Sequence, residues 1–443
     1  MNRLRRGSLI AAACLTSAAL LAAGCTPGAK PQQVASPGVT ASGTIDFWHF
    51  FTEREAEAIQ QVVNDFQAKY PAIKVNVNPN QDDDKVAQAI GAGKGPDVDL
   101  SGTTDNVGKF CATGGWQDLT PYIKRDNVKL DDVPKPVQQY TAFQNKRCAM
   151  PFLNDAYGLY YNKKMFAAAG ISSPPKTLSE LAEDAKKLSV KNSDGSYKVL
   201  GFDPLLGFYE NSASHWGPMT GAKWLSDETH SAVGTDPAWQ SLLTWQKGLI
   251  DTLGYDKVNK FQSALGDEFS ADNAFQKGQL AMNIDGEYRI AFLDDQAKDV
   301  DYGVAPMPVA DDKADLYGSG YITGNVIGVT KNSKNPEAAW QFIKYLTTNT
   351  DAVVKLANGI KNIPTLNSAL KSSALKVDDK FKVFIDISSN PKTSTTPPSG
   401  SGSAYQEAMQ KFVQDWQAGS VKDLAGGLKK LDTDINQQLA LGG

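Results

Sequence analysis

The sequence predicts a two-lobed α/β protein, and three observations lead there. The folded part opens as strand, helix, strand, helix, strand, the order of a parallel sheet covered by helices. The same alternation resumes near residue 158, after a long intervening stretch. Setting aside an apolar leader of 24 residues leaves 443 − 24 = 419, too many for one compact core and suited to two.

Taken in order, Thr44-Ile45-Asp46-Phe47-Trp48 reads as a short buried strand. A helix follows over 53–69, with Ala56, Ile59, Val62, Val63 and Phe66 spaced for one face. Pro71 stops it, and 73–77 alternates apolar and polar as a strand does. A second helix over 84–92 runs into Gly93, and 96–100 is the next strand. In the middle, 158–162 reads as a strand and Thr177 opens a helix in the pattern Thr-Leu-Ser-Glu, a capping box. Helices are predicted over 236–252, 268–277, 336–348, 350–358, 403–418 and 421–440, and strands over 303–305 and 326–330. Residues 391–403, rich in Pro, Gly and Ser, read as a loop.

The leader indicates export. Arg3, Arg5 and Arg6 precede an uncharged apolar run over 9–23, too short and wrongly flanked for a membrane span. It ends Leu21-Ala22-Ala23-Gly24-Cys25, which resembles a bacterial lipobox, although Ala22 stands where Leu is usual. That resemblance implies cleavage after residue 24 and diacylglyceryl modification of Cys25, with localisation on the outer face of the cell membrane. Residues 25–42 carry almost no large apolar side chain and read as a flexible tether.

Removing three arginines leaves 45 − 3 = 42 basic against 49 acidic residues, a charge of −7 that argues against nucleic acid as a partner. No later apolar run reaches membrane-spanning length, so the lipid is the expected membrane contact. Cys14 falls in the leader, which leaves Cys111 and Cys148; an extracytoplasmic compartment favours their pairing, with two buried thiols as the alternative. Three scattered histidines, His49, His215 and His230, do not make a metal cluster, and neither metal nor cofactor is expected.

Five segments in register over about 43–440 resemble the family-one extracellular solute-binding proteins. They are Gly43-Thr44-Ile45-Asp46-Phe47-Trp48-His49; Gly95-Pro96-Asp97-Val98; the run from Pro151 to Gly170 with Pro174-Pro175-Lys176-Thr177; Ala274 to Gly278 with Ala281 to Gly286; and Ser333 to Thr347 with Ile363-Pro364-Thr365. The resemblance implies a type II periplasmic-binding-protein-like fold, with discontinuous lobes joined by a three-segment hinge near 151–156, 304–308 and 363–366. The amino-terminal lobe is then 43–152 plus 309–363, the other 153–308 plus 364–443, with the ligand cleft between. It also implies a monomeric, non-enzymatic binding protein that captures a sugar and delivers it to the permease subunits of an ABC importer.

A pyranose has apolar faces that stack on aromatic rings and hydroxyls that require donors and acceptors. Asp155 matches a position where a member of that family places a ligand-contacting carboxylate; the alternative is a solvated hinge-edge acid. Asp105 matches another, or starts a helix. Tyr288 stands where the family has a stacking Trp, and Arg289 beside it offers forked donors or pairs with a neighbouring acid. His49 and Glu53, flanking Phe50 and Phe51, face the cleft in the family's geometry, unless the rings only pack the helix start. Trp216 closes a segment from Phe208 that mixes rings with polar groups, and serves either site or core. Gly320 lies in a Gly-rich turn where backbone donors can approach a ligand.

Two rivals remain. Relatives of such proteins also take glycerol phosphate esters or peptides, but no basic cluster suited to phosphate is visible. A cell-surface glycoside hydrolase would need two carboxylates flanking a cleft, and no other catalytic signature accompanies the acids present.

Overall fold

The computed structural model describes residues 34–442 except 39 and 228. The leader, Cys25 and the first part of the tether lie outside the described residues. The opening strands form as read: β1 (Gly43–His49), β2 (Ile73–Asn78) and β3 (Val98–Ser101), with β1 parallel to both others. Ile45, Phe47 and His49 share one buried face of β1, and Phe47 meets Phe342 edge-on at 5.1 Å on helix Pro336–Thr348. Helix Glu53–Lys69 buries Ile59, Val62, Val63 and Phe66.

The sheet then departs from the all-parallel expectation. The strand read at 158–162 is the end of a 13-residue strand, β4 (Met150–Asn162). Three more strands lie antiparallel along it: β5 (Met282–Gly286), β6 (Tyr302–Ala305) and β7 (Ile322–Val329). A two-residue strand, β8 (Ile363–Pro364), pairs with it as well, and β7 joins β3 antiparallel. The order is β6-β4-β7-β3-β1-β2. Strand β4 contacts β7 and β8 with its first half and β5 and β6 with its second, so one chain segment runs from one region of the sheet to the other.

Two apolar cores flank that passage. The first holds β1 to β3 with helices Glu53–Lys69, Pro336–Thr348 and Thr350–Ile360. The second holds helices Leu178–Leu188, Pro237–Leu253, Ala404–Gln417 and Leu424–Leu441. The capping box at Thr177 forms both of its hydrogen bonds.

The division between cores differs from the expected one in a specific way. Leu366, Leu375, Phe381, Phe384 and Ile387 pack into the first core, although 364–443 was expected in the second lobe. Gly158 explains the approach, since a β-carbon there would stand 2.9 Å from the Phe384 ring. Phe384 instead lies 5.7 Å from Tyr160 on β4. Phe275, Ile290, Leu293 and Tyr302 join the first core as well.

Two more expectations change. Residues 268–277 are turns, because the Asn273 carboxamide accepts from the Phe275 and Gln276 backbone and competes with helical bonding. The end of the tether is docked: Ala35 donates to Glu337 at 2.8 Å, and its carbonyl accepts from Arg125 at 3.2 Å. The Cys111 and Cys148 sulfurs lie within bonding distance, their Cα atoms 5.6 Å apart.

Candidate ligand cleft

A cavity of about 370 Å³ opens where the two cores meet, within the size range of small-molecule sites. The first core supplies its upper wall from the loop after β1 (Phe50, Phe51, Thr52), from Glu55, and from Thr323 and Asn325 on β7. Asp155 and Tyr157 come from the mid-point of β4, and Asn362 precedes β8. The opposite wall is Glu210, Phe269, Tyr288 and Phe292.

Alternation along the strands decides which side chains arrive. On β1 the period of two puts His49 on the same face as Ile45 and Phe47, fully buried, so the cavity meets the next residues, Phe50 and Phe51, instead. Burial lowers His49 to a pKa of about 4, which keeps the imidazole neutral. The helix that follows starts with Glu53 at φ 45° and turns Glu55, not Glu53, into the cleft. Both acids lie in its first turn, where the helix dipole favours them.

A buried carboxyl pair stands at the base. Asn362 donates through its amide to Asp155 and to Glu287, the latter at 3.0 Å, and Glu287 also accepts from the Ala156 backbone at 2.9 Å. Burial, with Glu210 and Glu55 adding repulsion, raises Asp155 to about 7. Burial and the Asp155 charge push Glu287 well above the carboxylate range. The pair therefore holds a proton between its members in the neutral range.

Glu210 behaves oppositely. Burial pushes it up, but the His215 imidazole (3.2 Å) and the Tyr288 hydroxyl (2.7 Å) outweigh that and hold it low. Tyr209 beside it adopts φ 48°, held there by its hydroxyl donating to the Gly266 carbonyl at 2.6 Å. Arg289 is buried behind the wall, bonded to Asp285 at 2.7 Å and Gln276 at 3.1 Å, and lies 5.7 and 5.0 Å from the centres of Phe269 and Phe292. It fixes those rings from behind rather than lining the cavity.

Of the eight ligand residues expected from sequence, Asp155 and Tyr288 stand on the wall. His49, Glu53, Asp105, Trp216, Arg289 and Gly320 do not. Asp105 accepts from Gln406 at 2.7 Å, joining the first core to helix Ala404–Gln417. Trp216 is core, its Nε1 donating to Asn211 at 2.5 Å. Gly320 leaves room for Ile387 and donates to the Thr393 hydroxyl at 3.0 Å. Sequence reasoning named the segment holding Glu210 and the Phe50-Phe51 pair without choosing those residues. Phe269, Phe292, Asn325 and Asn362 carried no motif; a turn, the helix Arg289–Gln296, the register of β7 and the approach to β8 place them in that order. Among the described residues no group of three or more acids, cysteines or histidines could hold a metal ion.

Two cores sharing one long strand, with a cavity of ligand size at their junction, define a two-lobed α/β binding-protein fold. Comparison with known proteins places it more narrowly. The model of the bacterial extracellular solute-binding protein family matches residues 52–353, and the chain belongs to that family. A maltotriose-binding protein of Pyrococcus abyssi is 24% identical over 339 residues, 76% of this chain and 70% of that one. A probable ABC transporter-binding protein of Deinococcus radiodurans is 27% identical, over 77% and 80%. Among solved structures, CpMnBP1 with mannotriose bound superposes with a TM-score of 0.77 at 22% identity, covering 88% of this chain and 99% of that one. The GacH receptor of Streptomyces glaucescens, solved unliganded and with acarbose, gives 0.72 at 21%, covering 90% and 99%. These likenesses show the same fold.

Proposed function

We propose that this exported solute-binding protein captures a sugar or short oligosaccharide outside the cell and presents it to the permease of an ABC importer. The observation that carries the reading is the wall itself. Phe50 and Phe51 face Phe269, Tyr288 and Phe292 across the cavity, and Glu55, Asp155 and Glu210 stand among them. Flat rings suit the C–H faces of a pyranose, and carboxylates accept short hydrogen bonds from hydroxyls. The sugar ligands of the maltotriose, mannotriose and acarbose receptors support the same reading.

The lobes are 43–152 with 309–363 and 153–308 with 364–443, the stretch 366–387 reaching back onto the first. Bending at 151–156, 304–308 and 363–366 closes them on the ligand, and only a ligand that binds the closed form better shifts that equilibrium. The mature monomer is anchored through Cys25, and the Cys111–Cys148 bond forms after export. The chain performs no chemistry on its ligand and needs no cofactor.

A thermal-shift screen of the fragment from Thr26 against mono- and oligosaccharides tests this. A sugar at a hundred times its Kd stabilises by about 2.7 kcal/mol and raises the Tm visibly. A response to phosphate esters or peptides but to no carbohydrate would overturn the ligand class, and sugar turned over to product would overturn the binding role.

A further inference from the structure

The polar side chains of the cleft are unequal in what they offer. A hydroxyl both donates and accepts, so a neutral sugar is met best by a wall that does both. Here most of the donors are engaged within the protein, Thr52 and the Asn325 amide nitrogen excepted. The Tyr288 hydroxyl donates to Glu210, the Asn362 amide to Asp155 and Glu287, and the Tyr157 and Thr323 hydroxyls bond each other at 3.2 Å. What faces the cavity is mainly acceptor: the oxygens of Glu55, Asp155 and Glu210. Asn325, 5% exposed, buries its Oδ1 behind that wall with no hydrogen-bond partner.

Charge is unequal too. No Lys, Arg or His lines the cavity. In the surrounding shell stand six carboxyl groups, of which Asp155 and Glu287 share one proton and burial, with Glu210 and Asp285 nearby, raises Glu268 to about 10. Glu55, Glu210, Asp285 and one charge on the Asp155–Glu287 pair then meet two guanidinium groups and one imidazole. Arg54 is 3.5 Å from Glu55 and itself half in solvent, Arg289 is committed to Asp285, and His215 to Glu210. Around the acids stand the aromatic rings Phe50, Phe51, Tyr157, Phe269, Tyr288 and Phe292. Carboxylates among ring faces, with most donors withheld, are the surroundings an ammonium group requires: it has three donors, no acceptor, and is attracted to π faces.

We infer that the sugar bound in this cleft carries a basic amine, held as an ammonium ion between Glu55, Asp155, Glu210 and the aromatic walls. The inference rests on the reading of the cleft as a sugar site. Within that class it excludes sugars whose amine is acetylated and sugars bearing carboxylate or phosphate, since both would meet acids without a counter-charge.

The test is calorimetric titration of the full-length lipoprotein in neutral detergent with matched triplets of mono- to trisaccharides. Glucosamine, N-acetylglucosamine and glucose form one triplet, and their α- and β-linked di- and trimers form the others. The amine member of at least one triplet is expected to bind tenfold or more tighter than both counterparts, with the advantage shrinking as salt rises from 20 to 500 mM. Glu55→Gln, at a partly exposed position, and Glu210→Gln should each cut that preference several-fold while the melting temperature of the Glu55 variant stays near that of the parent. Tighter binding of a neutral or acetylated member overturns the amine and leaves the sugar reading standing. Silence of every triplet overturns both.

Discussion

Gly286 and Tyr288 are in direct conflict over space: a β-carbon at 286 would stand 2.7 Å from Cζ and 2.8 Å from Cδ1 of the Tyr288 ring. The strand β5 ends on a glycine, and the ring folds back over its backbone into the cleft. That fold-back also brings the Tyr288 hydroxyl to Glu210.

Gly286→Ala should therefore damage the site more than the fold. The ring is driven off the wall, its stacking on ligand, worth roughly 0.5–1.5 kcal/mol, is lost, and affinity falls about two- to tenfold by titration calorimetry. An alanine variant with unchanged affinity would show that Tyr288 does not meet the ligand.

Tyr288→Phe keeps the ring and removes the donor. Glu210 then relies on His215, and a buried carboxylate short of one hydrogen bond costs about 1–3 kcal/mol. Denaturant unfolding should register that loss. No change in stability would mean that water replaces the hydroxyl.

The carboxyl pair at the base of the cleft gives a pH dependence of definite sign. Asp155 is raised from about 3.8 in the unfolded chain to about 7 by burial, and Glu287 is raised in the same direction. The folded protein thus keeps a proton that the unfolded chain releases. The stability from this pair is complete below about pH 4 and is lost as pH rises through 7. The free energy of unfolding measured between pH 4 and 8 should fall more steeply with rising pH for the parent than for Asp155→Asn. Parallel curves would show that the pair is not protonated.

Asn362→Ala withdraws the amide that donates to both acids. Two buried acceptors lose a partner, so a loss of about 1–3 kcal/mol is expected, with ligand affinity falling as well because Asp155 is no longer positioned. Full retention of both would assign Asn362 a passive place on the wall.

Reduction of Cys111–Cys148, 37 residues apart, releases a loop whose closure is worth about 4 kcal/mol by chain entropy. A Cys148→Ser variant, or the parent in reductant, should melt several degrees lower. Identical melting with and without reductant would mean that the thiols are free.

Much of the architecture was legible because it is written locally. Helix Glu53–Lys69 shows its buried face at helical spacing, and Thr177 with Glu180 announces a helix start that needs no distant partner. Residues 268–277 misled because Asn273 settles a local competition between side chain and backbone that composition does not reveal. At the cleft, the motif around Asp285 pointed to Tyr288, and the hinge motif pointed to Asp155. Neither pointed to Glu210, which follows Tyr209 at its positive φ of 48°.

The amino-acid order by itself determined the α/β class, the family, most helices and two of the wall residues, because periodicity, caps and short motifs act over a few residues. Tertiary structure alone decided that β4 is shared by two cores, that His49 points inward while Phe50 and Phe51 reach the cavity, and that Phe269, Asn325 and Asn362 meet there. Those outcomes depend on strand register and on contacts between segments 50 to 300 residues apart, and a one-residue shift of register would turn the opposite face of each strand toward the ligand.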